Sequence, residues 1–338
     1  MKTSDFFYDL PAGAIAQSAV EPRDSSRLLA AAALTDHRFR DLPALLQPGD
    51  LMVVNRTRVR RARLRGRREA TGGRAEALLL RAAGEDRWEA LVRPARRLRP
   101  GERLVFGQIV ATVVGEPRAG EAVLALDTGG ASLEEALQLW GEVPLPPYFK
   151  GRLEDPERYQ TVYASGDGSA AAPTAGLHFT PGLLQALAER QIEVAAVDLE
   201  IGVDTFRPIA AESLEEHQMH RESYTVPADT AVALAAVRER KGRVVAVGTT
   251  VVRALESAAG PGGEVRPGAG TTGLFITPGY QFRVVDLLIT NFHVPGSTLV
   301  VLVAAFMGEG WREVYRAALE RGYRFLSFGD AMLAARVS

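Results

Sequence analysis

Two textures alternate along this chain, and their order restricts the fold more than any single motif does. From about residue 59 to 142 come short apolar runs, "EALLL", "RWEALVR", "RLVFG", "IVATVVGE" and "EAVLALDT", separated by glycine- and charge-rich turns. Strands at that spacing predict a small antiparallel β-barrel or sandwich. After residue 150 helical patterns such as "GLLQALAER" and "DTAVALAAVRERKG" alternate with apolar runs such as "RVVAVG" and "VVDLLITNF". That alternation predicts an α/β domain with a largely parallel, buried sheet. The opening segments "DFFYDLP" and "GDLMVVNRTRV" share the second texture. The fold class is therefore α/β: a discontinuous main domain, residues 1–58 and 143–338, with an inserted small antiparallel β-barrel domain at 59–142. Ser132 and Glu135 have capping-box spacing for one short helix in the insert. "AAGPGGEVRPGAGTTG", at 258–273, reads as a mobile loop.

Composition removes several function classes. The 338 residues include no cysteine, which excludes disulfide frameworks, thiolate zinc sites and cysteine nucleophiles. The N-terminus has acids and no long apolar run, so it does not read as a signal peptide. "STLVVLVAAFMG" is too short to cross a bilayer and reads as a buried helix. The formal net charge is −1, yet arginine dominates "NRTRVRRARLRGRR" at 55–68 and recurs in "RPARRLRP" at 93–100. Arg61, Arg63, Arg65 and Arg67 alternate with Ala62, Leu64 and Gly66, which puts arginine on one face of a strand. Such a face serves a polyanion contact or simple solvation, and the run alone fits both.

Four stretches concentrate polar residues where apolar ones are the rule. In "AAPTAGLHFTPGLLQAL", Thr180-Pro181 starts a helix, and Thr174, Gly176 and His178 are not needed for that start. His178 is a satisfied structural histidine or an acid–base group, and Gly176 is the place for close approach of a substrate. In "VVAVGTTVVRALES" a buried strand runs into Gly248, Thr249 and Thr250 and then a helix. Those threonines either cap the helix or, with its free amides, form an anion site. In "DLLITNFHVPGSTLVV" a strand ends in Asn291 and His293, ahead of a cap at Ser297/Thr298. Ligands gather at such carboxyl strand ends in α/β sheets. In "EEHQMHRE", His217 and His220 lie three apart but lack the H-E-x-x-H pattern and any specified third ligand, so solvated residues or substrate contacts fit better than a metal. A serine hydrolase built from Ser297, a histidine and Asp330 is disfavoured by the missing G-x-S-x-G elbow.

Together these stretches resemble the S-adenosylmethionine:tRNA ribosyltransferase-isomerase family of queuosine biosynthesis. The likeness runs through "DFFYDLP", "PRDSSRLL", "PGDLMVVNRTRVRRARL", "PLPPY", "YQTVY", "AAPTAGLHF", "HQMHRESY", "VVAVGTTVVRALES", "GLFITPGYQFRVVDLLITNFHVPGSTL" and "YRFLSFGDAM", in that order. The chain departs from the family at "EIGVDTF", where the family usually has "HVGAGTF", so Glu200 stands for a histidine and Asp204 for a small residue. Arg56 stands where the family usually has Asn or Asp.

The resemblance implies that S-adenosylmethionine donates ribose to the aminomethyl group of 7-aminomethyl-7-deazaguanine at the wobble position of a tRNA. The ribose is rearranged to an epoxycyclopentane, giving epoxyqueuosine-tRNA, and adenine and methionine leave. It also implies a cytoplasmic monomer with no metal and no cofactor beyond the co-substrate. The sulfonium acidifies the neighbouring 5′ carbon, so proton transfer falls to histidine and carboxylate groups. On that basis His178, His293 and Asp330, the last placed at the end of the final strand, are the catalytic candidates. Gly248, Thr249 and Thr250 are candidates for the methionine carboxylate; Thr174, Asn291 and Ser297 for orienting ribose or base. Arg58, Arg61, Arg63 and Arg65 are candidates for tRNA phosphates. Two rivals belong to other classes. A methyltransferase using the same co-substrate calls for a glycine-rich loop after its first strand, which the chain lacks; a non-catalytic RNA-binding protein leaves the polar strand ends without a reason.

Overall fold

Period-two runs and buried runs sort into two bodies. This computed structural model describes residues 1–150, 153, 155–202, 208–219 and 221–337. The chain divides into one unit of Met1–Arg58 with Pro146–Ser338 and a second of Val59–Leu145. Asp204 and His220 lie outside the described residues.

The first unit is built on a nine-stranded sheet. Its strand order is Gly268–Thr272, Glu222–Val226, Glu193–Leu199, Leu51–Asn55, Val244–Val247, Leu287–Asn291, Ala331–Ala335, Arg27–Ala30 and Thr35–Arg38. From Glu193–Leu199 to Leu287–Asn291 the neighbours are parallel. The first and last pairs of the order are antiparallel, and Ala331–Ala335 runs antiparallel to Leu287–Asn291 but parallel to Arg27–Ala30. The parallel character expected from the buried runs thus holds at the centre and yields at the edges. Gly268–Thr272 is an edge strand inside the segment read as a loop.

The pleat divides each central strand between two apolar layers. Leu51 and Val53 face one core with Ala246 and Leu288; that core takes in the helices Ala228–Glu239, Thr249–Ala258, Thr298–Met307 and Trp311–Glu320. Met52 and Val54 face the other with Val245, Val247 and Ile289, packed beneath Pro181–Glu189. A strand buried on both faces needs continuous apolar residues, which is why "LMVV" and "VVAV" carry no alternation. The apolar run from Thr298 is a buried helix, and no described helix is long and apolar enough to cross a membrane.

The second unit is a closed six-stranded antiparallel barrel. Arg63–Arg68 pairs with Arg74–Gly84, and the order continues through Arg87–Arg93, Glu121–Asp127, Ile109–Arg118 and Arg103–Phe106 back to Arg63–Arg68. Gly141–Glu142 adds a short strand to Arg63–Arg68. Inward positions such as Leu64, Ala77, Ala90, Leu104, Ala111 and Leu124 are wholly buried, so each strand alternates as its sequence does. Ser132 and Glu135 exchange the expected capping-box hydrogen bonds at 3.3 and 2.9 Å.

Closure depends on one small residue. Gly66 lies where Arg67 and Arg68 pair with Val105 and Leu104, and a Cβ on it would overlap the Val105 carbonyl oxygen and the Phe106 ring. We predict that Gly66→Ala forces the seam apart and destabilises the barrel by about 1–3 kcal/mol. Calorimetry on the full chain checks this; an unchanged melting profile would contradict it.

Candidate active site

Two central strands end side by side, and the segments leaving their carboxyl ends build a narrow cleft. Val244–Val247 runs into Gly248, whose φ of 93° turns the chain into the helix Thr249–Ala258. The Gly248 amide donates to Ile289 O at 2.8 Å and ties this turn to the neighbouring strand. Among the described residues no side chain caps this helix: the amides of Thr249 and Thr250 precede the first bond of its turn, Val251 N to Gly248 O at 3.2 Å, and Thr250 Oγ1 is buried without a partner. Capping therefore does not account for the threonines, and unsatisfied donors at a helix N-terminus suit an anion. Leu287–Asn291 supplies Thr290, Asn291 and, just beyond it, His293 to the same cleft. Thr174, Ser297, Tyr148 and Ser327 complete the polar lining.

At the cleft wall a single amide organises three groups. Asn291 Nδ2 is 3.2 Å from the Asp330 carbonyl, which can only accept, so this atom is the donor. The same nitrogen meets His178 Nε2 at 3.1 Å, and Asn291 Oδ1 accepts from Thr174 Oγ1 at 2.9 Å. His178 Nε2 must then be the bare nitrogen, which leaves Nδ1–H to donate to Ser26 Oγ at 2.7 Å. The ring also stacks on Phe39, with centroids 4.8 Å apart. Burial, reinforced by the positive charges of Arg324 and Arg23, pushes its pKa down to about 3. His178 is a neutral, fully bonded ring behind Asn291 and does not line the cleft.

His293 does line it. Nε2 is 2.9 Å from Thr290 Oγ1, and the backbone is gripped on both sides, its amide donating to Tyr315 Oη at 3.2 Å and its carbonyl accepting from Tyr8 Oη. Its Nδ1 has no hydrogen-bond partner among the described residues, and burial pushes its pKa down to about 3.

Other sequence-chosen residues are spent elsewhere. Asp330 precedes the final strand instead of ending it, because that strand runs antiparallel to Leu287–Asn291 and brings its N-terminal end beside Asn291. Its carboxylate accepts the amides of Arg27 at 2.9 Å and Arg324 at 2.8 Å, which pins this turn and keeps the group out of the cleft. Ser297 Oγ donates to Val294 O at 2.6 Å and caps Val300 at 3.4 Å. Gly176 makes room for the Tyr163 hydroxyl and Thr161, not for a substrate. Arg56 forks onto Asp198 at 3.0 and 3.1 Å and lines a separate hollow with Glu200, so neither of these family departures reaches the cleft. His217 packs edge-on against Phe275, and among the described residues no three His, Asp or Glu form a metal-binding group.

The arginine face has acidic neighbours. Arg63 pairs with Glu76 at 3.3 Å and Arg65 with Glu142 at 3.4 Å; Arg61 donates to Gln138 O at 3.2 Å, and Arg58 pairs with Glu157.

Comparison with known proteins gives this geometry its setting. The family model described as queuosine biosynthesis protein matches residues 3–334. The chain belongs to that family. It is 53% identical to the S-adenosylmethionine:tRNA ribosyltransferase-isomerase of Symbiobacterium thermophilum over 98% of this chain and 99% of that protein. The protein of the same name from Moorella thermoacetica is 52% identical over the same shares. A crystal structure of the S-adenosylmethionine tRNA ribosyltransferase of Thermotoga maritima aligns over 98% of this chain and 99% of that one, with 37% identity and a TM-score of 0.55.

Within the family's stretches, reading by residue type passed over several cleft groups. Tyr148 and Ser327 sit in "PLPPY" and "YRFLSFGDAM", which carried the resemblance but gave no chemical reason to select them. Ser26, inside "PRDSSRLL", and Phe39 fix His178 from about 140 to 150 residues upstream, and neither carries a local chemical reason to be chosen.

Both histidines have native pKa values below the ordinary value of about 6.5, so their stabilisation is complete above that pH and is lost as pH falls toward about 3. We predict imidazole NMR signals that do not titrate between about pH 8 and 5, with a urea midpoint that falls across the acid half of that range. A ring titrating near 6.5 would contradict the burial argument.

Proposed function

We propose that this chain transfers and isomerises the ribosyl group of S-adenosylmethionine onto 7-aminomethyl-7-deazaguanine at the tRNA wobble position, yielding epoxyqueuosine-tRNA, adenine and methionine. The reading rests on the full-length likeness at 53% identity to a protein bearing the corresponding name. The polar groups at the strand ends support it over a non-catalytic RNA-binding protein. A cytoplasmic monomer without metal belongs to the same reading and rests on the same likeness.

The roles are drawn from the cleft. The free amides of Thr249 and Thr250, with the unpartnered Thr250 hydroxyl, hold the methionine carboxylate. His293, neutral and facing the cleft, is the base for the acidified 5′ proton. His178 is a positioning residue that acts through Asn291, which with Thr174 orients the ribose or the base. Ser297 and Asp330 hold the backbone on either side.

A single incubation with S-adenosylmethionine and tRNA carrying the aminomethyl base tests the activity: digestion and mass measurement should find epoxyqueuosine, with free adenine released. An S-adenosylhomocysteine product would instead indicate a methyltransferase. His293→Gln should lower kcat by about 10²–10⁴-fold. If that variant and His178→Gln both turned over normally while folded, the assignments to these histidines would be wrong.

Arg58, Arg61, Arg63 and Arg65 serve the tRNA phosphates in this reading, and their partners compete with RNA. Replacing Arg63 or Arg65 with Gln should weaken binding and flatten the salt dependence by about 0.7–0.9 in log–log slope per lost phosphate contact. Glu76→Gln and Glu142→Gln, which free those arginines, should tighten it. Unaltered slopes in filter binding would move the tRNA contact off this face.

A further inference from the structure

Beside the cleft lies a second cavity, of about 350 Å³, and Leu299 forms a wall of both. Its character differs. Met219, Leu274, Phe275, Ile276 and Leu302 give it apolar sides, and Arg253 and Glu222 form a buried ion pair in its lining. Each of those two side chains is 6% exposed. Both oxygens of Glu222 are engaged, Oε1 accepting the Gly202 amide at 3.0 Å and Oε2 accepting from Arg253 Nη1. Arg253 is engaged only in part: Nε donates to Leu274 O at 3.2 Å, but Nη2 is buried with no partner among the described residues.

A buried donor left unpaired costs about 1–3 kcal/mol, so this one calls for an acceptor from outside the chain. The guanidinium charge is already balanced by Glu222, which removes most of the advantage an anion would have. A neutral acceptor atom on a flat apolar body gains both the hydrogen bond and the walls. We propose that this cavity seats a planar heteroaromatic base, with Arg253 Nη2 donating to a ring nitrogen or ring carbonyl and Phe275 covering its face. The position fits a ligand that spans both cavities past Leu299. The identity of the base rests on the proposed function, which offers two sources: the purine of the ribosyl donor and the deazaguanine of the acceptor.

The test titrates free adenine and, separately, free 7-aminomethyl-7-deazaguanine into the full chain and two variants by calorimetry. Arg253→Lys keeps a cation against Glu222 but removes Nη2; Phe275→Ala removes a half-buried wall that holds no ion pair. One base should bind the unmodified chain, and that base identifies the source. Its affinity should fall about tenfold in Arg253→Lys, the equivalent of one hydrogen bond, and several-fold in Phe275→Ala. Methionine, held in the neighbouring cleft, should bind all three proteins alike. If neither base binds, or both variants bind as the unmodified chain does, the subsite is wrong. Should Arg253→Lys fail to fold, the Phe275→Ala titration decides. Ribosyl transfer by the unmodified chain is measured in parallel. Turnover with unaffected variants would overturn the subsite and leave the proposed function standing; base binding without turnover would do the reverse.

Discussion

The Asn291 amide is the constraint on which the site depends. Three directions are prescribed for it: a carbonyl that can only accept, a hydroxyl that it receives from, and an imidazole nitrogen. Because the Asp330 carbonyl fixes which end is the amine, the histidine has one allowed tautomer and the threonine one allowed role. Removing any member strands a buried polar group of another, so the wall of the cleft holds as a unit. This accounts for a histidine that is buried, neutral and outside the cleft while still belonging to its machinery.

Electrostatically the cleft is unusual in having no Asp, Glu, Lys or Arg in its lining among the described residues. Dipoles do the work instead. The helix beginning at Thr249 presents a partial positive end, which favours a carboxylate and disfavours a sulfonium. In the proposed reading, a co-substrate bearing both groups is thereby given a direction as well as a place, its carboxylate at the amides and its cation held away from them. Charge appears one cavity further on, where Arg253 and Glu222 cancel each other and Glu216 joins the lining.

Local pattern carried much of this architecture. Buried apolar runs announced the central strands, alternation announced the barrel, and polar residues at strand ends drew Thr174, Asn291, His293 and the Thr249–Thr250 pair to one place. What it missed was non-local. The direction of the last strand decides whether Asp330 begins or ends it, and strand direction is a property of the sheet. The acids that neutralise Arg63 and Arg65 come from other strands of the barrel's sheet. The space beside Gly176 is taken by Tyr163, and only packing reveals that. Arg253 and Glu222 are 31 residues apart, one on the helix Thr249–Ala258 and the other opening the strand Glu222–Val226, and nothing local in the sequence pairs them.

The central strand Leu51–Asn55 is among the earliest elements made, yet both its neighbours come from far downstream, at Glu193–Leu199 and Val244–Val247. The sheet stays incomplete until Ala331–Ala335 slots in between Leu287–Asn291 and Arg27–Ala30. All the barrel's strands, by contrast, lie between residues 63 and 142, each paired within that span. On a ribosome the two bodies therefore mature in the opposite order to their first residues. The barrel can close while Leu51–Asn55 still lacks both its neighbours, and that apolar strand waits for them until residues 193 to 247 are made. Holding that early segment soluble is a demand that the order of the strands places on the cell.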